Sequence, residues 1–194
     1  MSSQVISVHR ATKETDIALT LDLVNPAPVS LSLGLPFFEH LLHAMAFHGR
    51  IGLTVHALGD IEVDPHHLVE DTGLVLGDAV RQHMTERGPC ARFGQALIPM
   101  DDALSEVIVD ASGRPFLVYQ AEYPQEKAGD FDLSLLGEFL TALANRGGLT
   151  LHCLCRYGRN GHHMAEALFK ALGRALNQAL TPAGAAVIST KGVL

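Results

Sequence analysis

The chain has 194 residues, 47% of them hydrophobic, and a formal net charge of −7. That length and apolar content suit one large globular unit or two small ones sharing a core, and they exclude a disordered chain. The negative charge and the absence of any Lys/Arg run argue against a nucleic-acid or anionic-membrane surface, and no window holds the ~18 apolar residues of a membrane span. Residues 1–15 include Arg10, Lys13 and Glu14 and no apolar run of the signal-peptide kind, so a cytoplasmic protein is expected. In that compartment Cys90, Cys153 and Cys155 read as reduced thiols, with Cys153 and Cys155 on one face of a strand.

In chain order, Val5 to Val8 and Ile17 to Leu23 alternate as strands do, around the charged run Arg10 to Glu14. This predicts an opening hairpin with Glu14 near its turn. Pro26, Pro28 and Pro36 interrupt the next stretch. A helix is predicted from Phe37 to Phe47, stopping near Gly49, with His40 and His43 one turn apart. Ile51 to Ala57 reads as a strand and Ile61 to Asp64 as extended; Pro65 can then open a helix from His66 to Thr85. Two strands flank Pro99-Met100-Asp101-Asp102, another covers Phe116 to Tyr119, and residues 120–132 read as a polar linker. A helix from Leu133 to Asn145, a strand from Leu149 to Cys155 and a helix from His162 to Leu180 complete the order, with a small-polar, basic tail at Ile188 to Gly192.

One pattern occurs twice: His66-His67-Leu68-Val69-Glu70 and His162-His163-Met164-Ala165-Glu166. On a helix the first His and the Glu share a face, while the second His points about 100° away. Each copy can therefore serve two ions, and imidazole with carboxylate suits Mn, Fe, Co or Zn. A histidine precedes each pair at the same spacing, His56 and His152, and the register continues past both motifs, Gly77-Asp78-Ala79 against Gly173-Arg174-Ala175. Upstream, the stretch around His40 aligns with the stretch around Glu138 if one copy carries two extra residues. The chain reads as a single unit, 1–194, made of two related halves near 1–90 and 91–194, each running helix, strand, loop, helix. Face-to-face pairing of the halves would bring the two His-His-x-x-Glu helices together around a dinuclear site.

Seven stretches, Phe37 to His43, Asp64 to Gly73, Arg92-Phe93-Gly94, Pro99-Met100-Asp101, Ser112 to Pro115, Gly158 to His163 and Ser189 to Gly192, together closely resemble the imidazoleglycerol-phosphate dehydratase family, in family order over nearly the whole chain. The resemblance implies an α+β fold of two homologous half-domains, each a small sheet packed with helices, of the ribosomal protein S5 domain 2-like kind. It also implies two manganese ions per active site and a homo-oligomer of 24 subunits built from trimers, with sites completed by neighbours. The implied reaction is dehydration of D-erythro-imidazole glycerol phosphate to imidazole acetol phosphate in L-histidine biosynthesis.

Carried over residue by residue, the metal ligands are His40, His66, His67, Glu70, His162, His163 and Glu166. Glu138 joins them with a departure, since many members have histidine there. Glu14, His67, Glu70 and Glu166 are the candidates for moving protons, in an elimination that expels a hydroxyl beside the imidazole ring and takes a proton from a carbon with no carbonyl to acidify it. The residues implied to hold substrate are Glu14, His40, His43, His48, Arg92, Arg114, Lys170, Ser189, Thr190 and Lys191, mostly at its phosphate end, where guanidinium, ammonium and hydroxyl donors fit a dianion.

Plainer readings stand beside these. His56 and His152 on strands read as structural, and Asp101 and Asp102 as turn formers or acids. Asp71 reads either as an orienting partner for a metal-bound histidine or as a favourable charge in a first helical turn. As a whole function, the alternative is a dinuclear metal-dependent hydrolase of a phosphorylated small molecule. A ferritin-like storage bundle is disfavoured because its Glu-x-x-His order is reversed here and strands interrupt the helices.

Overall fold

The structure, a computed structural model, describes residues 5–24 and 28–184. The alternating segments at the start form a hairpin, β1 (Ile6–Ala11) and β2 (Thr15–Asp22), with Ile6 opposite Leu21. Along β2, Thr15, Ile17, Leu19 and Leu21 turn inward while Asp16 and Ala18 face out, the two-residue period of a half-buried strand. The first half continues with β3 (Ser30–Ser32), α1 (Pro36–Gly49), β4 (Gly52–Gly59) and α2 (His66–Arg87). The second repeats that order: the hairpin β5 (Phe93–Met100) and β6 (Ala103–Asp110), the edge strand β7 (Phe116–Gln120), then α3 (Leu135–Gly147), β10 (Thr150–Tyr157) and α4 (Gly161–Leu180). Between β7 and α3 lies a two-stranded ribbon, β8 (Lys127–Ala128) and β9 (Phe131–Asp132), where the sequence reads as linker. The fold is α+β, with two sheets of the same design, ordered β1-β2-β4-β3 and β5-β6-β10-β7. In each, the second hairpin strand pairs antiparallel with β4 or β10, and the short edge strand pairs parallel with it on the other side.

The helices do not pair as the repeat alone suggests. Facing of α2 by α4 is the expectation; instead α1 packs along α4 and α3 along α2, each pair joining one helix from either half. Glycines explain this. A Cβ on Gly173 would lie 1.9 Å from the Met45 carbonyl oxygen, and one on Gly77 would lie 2.7 Å from Arg146 Cβ and 2.9 Å from Gly147 N, so both helix pairs touch backbone to backbone. The partners at these crossings equate Met45 with Leu143 and Gly49 with Gly147. His40 on α1 thus stands where Glu138 stands on α3. Stacked Phe139 and Phe169 (5.6 Å), with Phe38 edge-on to Phe139 (5.3 Å), fill the centre where the helix pairs meet.

Two local differences bear on the site. Residues 61–63 form a turn rather than an extended segment, closed by the Val63 N–H donating to the Asp60 carbonyl (2.8 Å). The tail at Ser189, Thr190 and Lys191 lies outside the described residues. Cys90, Cys153 and Cys155 are free thiols, the last two on the inner face of β10, where burial raises the pKa of both. Among the described residues no helix is long and apolar enough to cross a membrane.

Candidate active site

Both His-His pairs open their helices. Asn160, extended at the N-cap of α4, accepts hydrogen bonds from the His162 and His163 backbone N–H groups, and the Asp64 carboxylate accepts from the His66 N–H at 2.7 Å. Helical geometry then separates the side chains. The rings of His162 and His163 stand at 84° with centroids 6.1 Å apart, and those of His66 and His67 at 87° and 5.9 Å. The divergence expected of neighbouring helical residues is present in both motifs.

On α4, His162 Nε2 lies 3.1 Å from Glu166 Oε2, and His40 Nε2 reaches the same oxygen from α1 at 3.0 Å. Among the described residues this is the one set of three metal-capable side chains whose donor atoms all fall within 4.8 Å of one another. Lys170 Nζ holds the other oxygen, Glu166 Oε1, at 2.8 Å. Burial acts to raise the Glu166 carboxyl, but hydrogen bonds from Lys170 and His40 outweigh it and hold the group at about 2. A permanent carboxylate flanked by two imidazoles fits a divalent cation of the Mn-to-Zn series. Phe37 lies edge-on to His162 (5.0 Å), and with Phe131, Pro65 and both histidines it lines a cavity of about 640 Å³.

The matching residues of α2 are looser. His66 Nε2 and Glu70 Oε2 are 3.7 Å apart, and Glu138, the α3 counterpart of His40, is exposed and does not join them in a set of three. The second histidine of each motif meets carboxylates instead. His163 Nδ1 is 2.6 Å from Asp102 Oδ1, and its Nε2 is 3.7 Å from Asp101, both at the β5–β6 turn. The hydrogen bond to His163, reinforced by the Arg159 backbone N–H at 2.5 Å, holds Asp102 at about 2. His67 Nδ1 lies 3.2 Å from Asp60, in the loop after β4, and 4.0 Å from Glu14 on the β1–β2 turn; the Asp60 hydrogen bond raises the His67 pKa. A carboxylate on Nδ1 favours the proton there and leaves Nε2 with its lone pair outward, the orientation a metal-ligating imidazole needs.

The cations divide into two groups. Along the α1–α4 groove beyond Lys170, a cavity of about 780 Å³ is bordered by His43, His48, Arg50 and Arg174. Partial desolvation, then Lys170 and Arg174, lower the His48 pKa. Arg92 and Arg114 lie elsewhere. Both bond Asp110, Arg92 Nε at 2.7 Å and Arg114 at 3.5 Å, where β5 begins, while Lys170 sits against Met100 where it ends. Eight residues of strand separate those ends by roughly 25 Å at ~3.4 Å per residue. One chain therefore does not bring Lys170 together with Arg92 and Arg114.

Sequence reasoning missed Asp60, whose repeat position is Arg156, and it gave Asp102 no histidine. Their only mark was an acid at a turn, which most surface loops carry. Asp71 lies beyond the first turn of α2, so the first-turn reading does not hold: it is buried and accepts from the Thr15 hydroxyl and from Arg10 Nε (3.2 Å), tying α2 to the hairpin that carries Glu14, and its charge helps raise the His67 pKa.

Known proteins share both the sequence and this architecture. The sequence profile of the imidazoleglycerol-phosphate dehydratase family matches residues 33–176. The dehydratase of Anaeromyxobacter dehalogenans (strain 2CP-C) is 49% identical over 97% of this chain and 91% of its own length, and that of Lacticaseibacillus casei (strain BL23) is 46% identical over 97% and 98%. Among solved structures, the Pyrococcus furiosus enzyme in complex with (S)-C348 superposes with a TM-score of 0.85 at 38% identity, covering 96% of this chain and all of that one. The Staphylococcus aureus enzyme gives 0.82 at 35%, covering 92% and 99%.

Proposed function

The chain belongs to the imidazoleglycerol-phosphate dehydratase family, carbon–oxygen lyases of histidine biosynthesis, and from that premise we propose that it dehydrates D-erythro-imidazole glycerol phosphate to imidazole acetol phosphate, in the cytoplasm, at a dinuclear manganese site. The observation that carries the metal part is the convergence of His40, His162 and Glu166 within 4.8 Å, echoed by His66 and Glu70. One ion would rest on His40, His162 and Glu166, the other on His66, Glu70 and Glu138, and His67 and His163, turned away from their own motifs, would each complete a site other than their neighbour's. Bound manganese would supply Lewis acidity that stabilises the deprotonated imidazole of the substrate.

The protein's own groups do the rest. Asp60 and Asp102 aim His67 and His163. Glu14, Glu70, Glu166 and His67 are the candidates for exchanging protons with substrate, and Glu14, 4.0 Å from His67, is the one favoured for a substrate contact. Phe37 and Phe131 give the imidazole an apolar wall. Lys170 meets the phosphate from the α1–α4 groove, with His43 and His48 beside it.

Arg92 and Arg114, about 25 Å from Lys170 in one chain, would reach the same phosphate from a neighbouring copy, together with Ser189, Thr190 and Lys191. This supports a homo-oligomer with shared sites, the 24-subunit shell of trimers that the family resemblance implies.

The test is dehydration by metal-stripped and then Mn²⁺-reconstituted protein, with metal counted per chain. Turnover returning only at about two ions per chain is expected. Two bound ions without turnover would favour the hydrolase alternative. Mixing Lys170→Met with Arg114→Ala protein, each inactive alone, should restore part of the activity once subunits have exchanged; no recovery after exchange would remove Arg114 from the site that Lys170 serves.

A further inference from the structure

The glycine crossings equate His40, His162 and Glu166 with Glu138, His66 and Glu70, yet the two sets differ in charge. With neutral imidazoles the first holds one carboxylate, and the Lys170 ammonium lies 2.8 Å from it. The second holds two carboxylates, and the residue in the place of Lys170 is Leu74. Among the described residues no Lys or Arg forms an ion pair with Glu70 or Glu138. Lys170 bonds Oε1 of Glu166 while His40 and His162 face Oε2, so the ammonium stays beside any ion bound there and repels it.

Resting on the dinuclear reading above, we propose that the two half-sites bind their ions unequally: Glu138, His66 and Glu70 hold the tighter ion with a preference for oxygen-seeking Mn²⁺, and His40, His162 and Glu166 hold a weaker one more open to nitrogen-preferring Zn²⁺. One effect opposes this order. The His40 set is already assembled, whereas Glu138 is exposed and must become ordered. Ordering one glutamate side chain costs less than a divalent ion gains from one further carboxylate at ligand distance and from the absence of an ammonium beside its ligand. The donor sets differ in the same sense, with two oxygens and one nitrogen against one oxygen and two nitrogens.

The experiment titrates metal-stripped protein with Mn²⁺, following free Mn²⁺ by its EPR signal. Two classes of one ion per chain, at least tenfold apart in Kd, are expected. Glu138→Gln should weaken the tight class tenfold or more and spare the weak one. Lys170→Met should tighten the weak class severalfold, and Glu138→His should narrow the gap, with circular dichroism confirming that each variant folds. Zn²⁺ should displace the weakly held Mn²⁺ first. Equal affinities in the unmodified protein, or a tight class lost with His40→Gln and kept in Glu138→Gln, would overturn the proposal. Fewer than two ions per chain would overturn the dinuclear reading itself, which the dehydration assay tests separately.

Discussion

His163 and His67 occupy the same place in the repeat and both meet a carboxylate through Nδ1, but the carboxylates come from different parts of the chain. Asp102 reaches His163 from the β5–β6 turn at 2.6 Å and is itself pinned by the Arg159 N–H; Asp60 reaches His67 from the loop after β4 at 3.2 Å, with Glu14 of the β1–β2 turn farther off at 4.0 Å. Helix register, set by packing at Gly77 and Gly173, stays fixed through the duplication. Loops have no such constraint, so the same orienting task is met by whichever acid lies in reach.

The largest effects are expected at the carboxylates of the two motifs, where, with both sites saturated with Mn²⁺, the halves should behave alike in turnover. Glu70→Gln and Glu166→Gln should each lower kcat by roughly 10²–10⁴-fold. A large loss in only one would show that the halves do not contribute equally. The packing symmetry is tested by Gly173→Ala and Gly77→Ala. The former forces a Cβ against backbone at 1.9 Å and should cost about 3 kcal/mol in denaturant unfolding; the latter, whose nearest contact is a side-chain Cβ at 2.7 Å, should cost about half as much.

Asp102→Ala should weaken Mn²⁺ binding ~10–100-fold by equilibrium titration. Asp60→Ala should do so less, because its bond is longer and Glu14 stands near. Equal losses would mean that pinning by Arg159 contributes nothing. The smallest effect is on acid stability. Glu166 and Asp102 are held at about 2 in the folded chain, below their ordinary values of 4.5 and 3.8, so the stability they add is complete above those values and is lost as pH falls toward 2. The metal-free protein should therefore lose stability between about pH 4.5 and 2, and Asp102→Asn should flatten part of that fall. An unchanged profile would remove Asp102 from the balance.

Much of the fold is legible in the sequence because it rests on local periodicity. The alternation in Ile17 to Leu23 and the Pro65 start each mark an element from a few adjacent residues. The short edge strand β3 is harder to read than its counterpart β7, whose Phe116 to Tyr119 run shows as extended in the sequence. Ser30–Ser32 has three residues and gains its place only by lying parallel to β4, a partner more than twenty positions away. The turn at 61–63 is likewise closed by the Val63 and Asp64 N–H groups donating to the Asp60 carbonyl.

Spacing along the chain is enough to establish the duplication, the two His-His-x-x-Glu motifs at helix starts and the divergence of each histidine pair, since all depend on a helix with 3.6 residues per turn. Family membership rests on the order of motifs, which is also a property of the chain alone. The union of α1 with α4 and of α3 with α2 comes from packing, and with it the set that His40 completes with His162 and Glu166. Packing likewise pairs His67 with Asp60 and His163 with Asp102, and puts Arg92 at the opposite end of β5 from Lys170. These are contacts between residues distant in sequence, fixed by backbone approach at glycines and by strand length, and no local pattern encodes them.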